Sequence, residues 1–200
     1  MRVLIACEYS GIVRDAFAKK GHDAWSCDIL DTESPGNHIR DDILNHLDKN
    51  WDLMIAHPPC THLAVSGARW FTEGKKPWSL QEEALDFVRK LLNAPIDKIA
   101  LENPISVIST KIRKPNQIIQ PFEFGHDVSK KTCLWLKNLP NLKPTKIVKP
   151  DIIERNGYKM SRHHWETFKL PSKIRGKVRS RFYEGIAKAM ADQWGSNETI

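Results

Sequence analysis

With 200 residues, 40% of them hydrophobic, the chain has material for one ordinary core, which argues against a second full domain. An excess of 31 Lys and Arg over 24 Asp and Glu gives a net charge of +7, a balance that favours a polyanionic partner but is shared by many proteins that have none. Four widely spaced cysteines, Cys7, Cys27, Cys60 and Cys133, suit reduced thiols better than a disulfide framework. The start "MRVLIACEYSG" is too short in apolar run for a signal peptide, and no stretch approaches the roughly 18 apolar residues of a membrane span. The expectation is a soluble cytoplasmic protein.

Taken in chain order, "RVLIAC" (2–7) is a buried-strand pattern that runs into "CEYSGIVRDAF", a carboxylate and a glycine just before a helical pattern at 12–20. Glu8 and Gly11 have two readings here: a turn whose backbone N–H groups approach a ligand, or an ordinary helix start capped by Ser10. "DAWSCDI" (23–29) is the next strand, closed by Asp28, where α/β folds commonly set an acid against ribose hydroxyls. Asp41 and Asp42 precede a further helical pattern; Asp41 reads at least as well as a cap, and Asp42 is weighted toward ligand contact.

"WDLMIA" (51–56) ends in "HPPCTH". The two prolines stiffen the loop and remove two donors, so Cys60 is presented rigidly. By itself such a cysteine is most often a small inert hydrophobe, and as a nucleophile it needs a thiolate. His57, Cys60 and His62 could also begin a metal shell, with His163 and His164 completing it, but no second cluster shows zinc spacing and no metal is expected.

A helix at 80–93 repeats Leu80, Ala84, Phe87, Val88, Leu91 and Leu92 at helical spacing, and "KIALEN" (98–103) is a fourth strand ending in Glu102 and Asn103. "KKTCLWL" (130–136) is one more strand, 151–181 is basic and weakly patterned, and 182–194 is a closing helix with Ile186, Met190 and Trp194 near one face. Strands alternating with helices predict a mostly parallel sheet flanked by helices, which gathers the polar residues after each strand on one rim. Within "KIRGKVRSR", Lys173, Arg175, Lys177, Arg179 and Arg181 alternate; extended, they form a phosphate track, or equally a solvated basic edge.

In order, "VLIACEYSGIV", "CDI", "DDIL", "DLMIAHPPCTHLAVSG" and "IALENP" resemble the DNA cytosine-5 methyltransferases, most closely small phage and prophage members. The resemblance covers about the first 105 residues, and its sharpest motifs are PPC and ENP. It implies a Rossmann-like class I S-adenosylmethionine-dependent methyltransferase fold, divided into a cofactor and catalytic core (1–105), a sheet extension (106–150), a basic variable segment (151–181) and the closing helix (182–195). It further implies S-adenosylmethionine held by Glu8, Gly11, Asp28, Asp42 and Pro58. Cys60 would add to C6 of cytosine while Glu102 hydrogen-bonds N3 and the exocyclic amine, with Lys131 as the nearest equivalent of a base-contacting arginine. The substrate would meet His57, Pro59, Ser66, Asn103, Lys173, Arg175 and Arg179. The chain departs from the family at Tyr9, where a glycine is usual, at Ile12, and at Pro104, where a valine is usual.

DNA is the expected partner, in a monomer or homodimer, and the small space for target recognition predicts low sequence specificity. Two rivals stand beside this reading. One is a nucleic-acid or protein binder that kept the fold without catalysis, favoured by Tyr9; the other is a C5-modifying enzyme on RNA or free nucleotides.

Overall fold

The computed structural model describes residues 1–155 and 157–196, together with all but the side chain of Lys173. Strand β1 (Arg2–Ala6) leads to helix α1 (Ile12–Ala18), β2 (Asp23–Asp28), β3 (His38–Arg40) and β4 (Leu53–Ala56). Helices α2 (Arg69–Thr72) and α3 (Ser79–Leu92) precede β5 (Lys98–Pro104), α4 (Ile108–Lys111), β6 (Gln117–Ile119) and β7 (Thr132–Lys137). A separate hairpin, β8 (Ile152–Arg155) and β9 (Tyr158–Ser161), is followed by α5 (Arg162–Phe168), α6 (Ser172–Ser180) and α7 (Glu184–Trp194). Among the described residues no helix is long and apolar enough to cross a membrane.

The large sheet has the order β3-β2-β1-β4-β5-β7-β6. β1 to β5 run parallel, and β7 alone is reversed, pairing antiparallel with both β5 and β6. This is the mostly parallel Rossmann-like α/β architecture, and the sheet does continue through residues 106–150. Strands buried on both faces need apolar residues at every position, and β1 and β4 supply them with Val3 to Ala6 and Leu53 to Ala56. Successive side chains alternate between two cores. Val3, Ile5, Leu53 and Ile55 meet Val13 and Phe17 of α1 and Ile186 and Met190 of α7 on one face. Leu4, Met54, Ile99 and Leu101 meet Leu85, Val88 and Leu91 of α3 on the other.

The expected strand at 51–56 begins two residues late. Trp51 is buried, but its indole donates to the His46 carbonyl at 2.7 Å, so it closes the preceding turn instead of extending the ladder. The helix expected after Asp42 is a single 3₁₀ turn, Ile43–Asn45.

Residues 151–181 depart most from expectation. Far from an extended track, 172–180 is helical, and successive alternate cations are turned about 200° apart around its axis. Arg175 and Arg179 face α5, where Arg175 donates to the Phe168 carbonyl (3.2 Å) and Arg179 to Thr167 Oγ1 (2.9 Å) and the His164 carbonyl (3.0 Å). Lys177 instead pairs with Glu33 at 2.6 Å. Lys173, by its side chain, lies outside the described residues. Arg175 and Arg179 therefore tie α6 to α5, and Lys177 faces away from them toward Glu33.

One fully buried cation was not foreseen. Arg14, 1% exposed, sends its guanidinium under the 26–36 loop to Asp15, Ser26, Thr32, the Ser34 hydroxyl and the carbonyls of Ser34 and Pro35. Gly11, at φ 77°, is required by this arrangement: a Cβ there would sit 2.4 Å from Arg14 Nη2. Replacing Arg14 by Met keeps the aliphatic stem but leaves a set of buried and half-buried acceptors without their donor, so it should destabilise the fold by about 3 kcal/mol, read as a shift in the urea unfolding midpoint.

Candidate active site

In the sheet, β4 and β5 are parallel neighbours with Ala56 opposite Leu101, so the residues after them, His57 and Glu102, emerge side by side. Their side chains meet, with His57 Nδ1 3.2 Å from Glu102 Oε2 and both about one-eighth exposed. Asn103, 1% exposed, donates its side-chain amide to the Pro58 carbonyl at 2.9 Å. Further along, Val65 N–H donates to the Ile105 carbonyl and Val107 N–H to the Leu63 carbonyl. The loop carrying Cys60 is thus clamped at several points to the loop carrying Glu102.

Within that clamp, the Cys60 carbonyl closes a tight turn by accepting from Leu63 N–H (3.0 Å) and Ala64 N–H (2.9 Å), and Cys60 is an exposed residue outside any disulfide. Desolvation within the recess pushes the Cys60 thiol above its ordinary pKa, the Glu102 carboxylate adds to the rise, and the Lys130 ammonium opposes it. Lys130, the neighbour of the expected Lys131, is thus the lysine that bears on Cys60; Lys131 is exposed. The Lys130 Nζ is fixed by the Arg179 carbonyl at 3.0 Å and lies 5.7 Å over the Tyr183 ring. The strand expected from 130 begins at Thr132, and the two lysines of its approach were indistinguishable in sequence. Pro59 and Ser66 are exposed on the same loop, and Pro58 is buried.

The rim beside Cys60 holds a cavity of about 260 Å³ lined by Cys7 to Ser10, Glu33, His57, and Lys177 to Phe182 apart from Arg179. Glu8 contributes to this wall, yet both its oxygens accept from α1, from Val13 N–H at 2.8 Å and Arg14 N–H at 3.2 Å, with Ser10 Oγ adding a third bond. The helix start expected of Ser10 is thus made mainly by Glu8. The Asp28 carboxylate accepts from Leu30 N–H through Oδ1 (2.9 Å), and that of Asp42 caps the 3₁₀ turn through Oδ1 at Leu44 N–H (3.0 Å). Each has a second oxygen without a bond among the described residues. Both acids bear on Cys7, whose thiol is raised chiefly by burial and then by Asp28, and whose backbone holds a left-handed φ of 59°. Asp41 is engaged differently, held by His46 at 2.9 Å, and its carboxyl is lowered chiefly by that bond.

Two cationic aromatic clusters lie elsewhere on the chain, one within residues 62–78 and one within residues 155–179. In the first, His62 meets Lys76 (3.4 Å) and Phe71, Phe71 stacks on Trp78 at 5.2 Å, and Arg69 lies 4.4 Å over Trp70. In the second, Arg155 lies 4.9 Å over Trp165 and Arg175 5.7 Å over Phe168. Trp78, Tyr158 and Phe168 are exposed. Among the described residues no group of three or more His, Cys, Asp and Glu is gathered as for a metal ion.

No family model matches the chain, and no curated protein matches it. Among solved structures it is similar to a protein described as a candidate DNA modification methyltransferase encoded within a prophage (E. coli), at 16% identity and a TM-score of 0.46. The similarity covers 77% of this chain and 56% of that one, so the chain spans little more than half the length of that neighbour.

Opposed influences on Cys60 have a measurable sign. A raised pKa leaves less thiolate at neutral pH, so alkylation should be slow and should accelerate as pH rises toward the folded pKa. Lys130→Met should slow iodoacetamide labelling of the Cys60 peptide severalfold, and Glu102→Gln should speed it, as followed by mass spectrometry.

Proposed function

We propose that the protein is an S-adenosylmethionine-dependent methyltransferase acting at C5 of cytosine, in DNA, with Cys60 as nucleophile and Glu102 as its acid partner. The observation that carries this reading is the clamped pair itself: an exposed cysteine and a half-enclosed carboxylate on neighbouring parallel strand ends, with Lys130 beside them. C5 of cytosine is a poor nucleophile until a group adds at C6, and such an addition needs a sulfur nucleophile and an acid on the same ring edge. An enzyme that methylates an exocyclic amine needs no cysteine at this point.

The fit of the cofactor rests on polar groups left unmatched. His57 Nε2 is buried without a partner among the described residues and Tyr9 and Phe182 give the cavity an apolar side, while Asp28 and Asp42, outside the cavity lining, each keep a carboxylate oxygen unbonded among those residues for a ribose hydroxyl or an amine. When bound there, S-adenosylmethionine supplies an electrophilic methyl group. Glu8 and Gly11 shape the wall and fix α1, while Asp28 and Asp42 are the residues proposed to hold the nucleoside.

The chemistry of the pair is coupled. In the free protein the Glu102 charge disfavours the thiolate. If Glu102 takes up the proton that the Cys60 thiol gives up and shares it with N3 of the ring, that repulsion falls just as the ring becomes electrophilic at C6, and Lys130 then favours the thiolate. Sγ of Cys60 would bond to C6 and move electron density to C5, which would then be open to the methyl group of the bound cofactor, with its thioether as leaving group; a base would remove the C5 proton and the thiolate would leave. In a duplex the base must leave the stack first, at a cost of a few kcal/mol. The rings and cations of the two aromatic clusters suit a nucleic acid strand, offering π faces for bases and charge for phosphates.

A second reading is favoured by one specific observation. The cavity is smaller than the several hundred Å³ of most cofactor pockets, with α6 held across it by Lys177 and Glu33. A binder without catalysis would have no need to open it.

Incubation with labelled S-adenosylmethionine and DNA containing 5-fluorocytosine should trap a covalent adduct that Cys60→Ser abolishes, with RNA and deoxycytidine monophosphate run in parallel as substrates. No adduct and no cofactor binding would sink the catalytic reading. For the nucleic-acid contact, Arg69→Ala and Arg155→Ala should each lower the slope of log affinity against log salt by about one, measured by fluorescence anisotropy.

A further inference from the structure

His57 occupies an unusual position between the two halves of the site. Its backbone N–H donates to the Ala6 carbonyl at 2.9 Å, continuing the β1 and β4 ladder, so the ring is carried on the rigid sheet. The ring packs against Phe182 at 4.6 Å, which limits its rotation. Nδ1 is engaged with Glu102 Oε2 at 3.2 Å. Nε2 is buried and has no hydrogen-bond partner among the described residues, although His57 lines the cavity shared with Tyr9, Glu33 and Phe182. A buried ring nitrogen without a partner is costly and marks a group whose partner arrives with a ligand.

We propose that His57 is a positioning residue that joins the two pockets, with Nδ1 orienting the Glu102 carboxyl and Nε2 taking its hydrogen bond from the molecule bound in the adjoining cavity. The second half rests on the reading of that cavity as the cofactor pocket; the first does not. Because Glu102 as a carboxylate can only accept, the neutral ring carries its proton on Nδ1 and presents a lone pair at Nε2. The group that completes the site is therefore a donor, an ammonium, amine or hydroxyl. An occupied cavity then fixes the ring, and a fixed ring holds Glu102 in the rotation that meets the target base. Filling of one pocket prepares the other without movement of the backbone.

Asparagine and glutamine separate the two bonds, since their amides approximate the positions of Nδ1 and Nε2 respectively. Two readouts distinguish the halves of the site. Release of tritium from C5-labelled cytosine in DNA, without cofactor, reports Cys60 addition at C6, protonation of C5 by solvent and departure of the labelled hydrogen with the thiolate; S-adenosylhomocysteine affinity, by calorimetry, reports the cavity. His57→Ala should lower both by about tenfold. His57→Asn should recover the exchange but not the affinity, and His57→Gln the affinity but not the exchange. Asn and Gln variants that behave alike would overturn the proposal, as would an Ala variant that changes neither readout. A third measurement stands apart from the reaction: the ring-nitrogen resonances of His57 in labelled wild-type protein should shift both on Glu102→Gln and on addition of S-adenosylhomocysteine. Failure to shift on either overturns the corresponding bond. A wild type that binds S-adenosylhomocysteine and shows both shifts but exchanges no hydrogen would instead refute the cytosine reaction and leave the link between the pockets standing.

Discussion

The side-chain amide of Asn103 reaches across to the Pro58 carbonyl, and much of the site follows from that bond. Pro58 and Pro59 have no N–H to offer, so the stretch between His57 and Cys60 has no backbone donor of its own and is held by a donor from elsewhere. Asn103 supplies one from the adjacent strand end, buried where water cannot compete. With Pro58 fixed, the backbone bonds joining Leu63 and Val65 to Val107 and Ile105 complete the clamp, and Cys60 is left at its open end. A cysteine on a mobile loop would reach an electrophile only part of the time; here the thiol and the Glu102 carboxylate have a set relation because two parallel strands and one buried amide determine it.

The parts of this arrangement that were legible in the sequence are those set by burial and periodicity. Strands β1, β4 and β5 sit inside a doubly covered sheet, and "VLIA", "LMIA" and "IALEN" state that directly. Their polar successors then fall on one rim by topology alone. What escaped was set by tertiary partners. Arg14 lies between Val13 and Asp15 in a helix and looks like a surface cation; only the fold of the 26–36 loop over it makes it a buried anchor. Lys130 and Lys131 differ only in which precedes β7 by one residue more, and their roles depend on where α6 ends.

The basic segment failed for a more general reason. In "KIRGKVRSR" the alternation of cations has a period of two, which matches a strand, while Ile174 and Val178 are spaced four apart, which matches a helix. Charge alternation carries little weight because exposed Lys and Arg accept either geometry. Apolar spacing carries more, since half-buried side chains decide which face is covered: Ile174 and Val178 are 52% and 37% exposed, partly covered on one flank of α6. The short strands β3 and β6, at three residues each, were beyond any periodicity argument.

The helical form of this segment changes how the site is enclosed. As a strand it would have run past the rim; as a helix it crosses the cavity, with Lys177 on Glu33 and Phe182 against His57. The Lys177 side chain is about two-thirds exposed, so its ion pair with Glu33 is screened by water, while the firmer ties of α6 are the Arg175 and Arg179 bonds to α5 and the Lys130 bond to the Arg179 carbonyl. The contact between Phe182 and His57 is of the other kind, apolar and enclosed, and it lies just before α7, whose Ile186 and Met190 are anchored in the core. The wall beside His57 is therefore set by the core through α7, and the wall made by α6 is set through α5 and Lys130. The polar groups within would then meet an entering molecule already arranged.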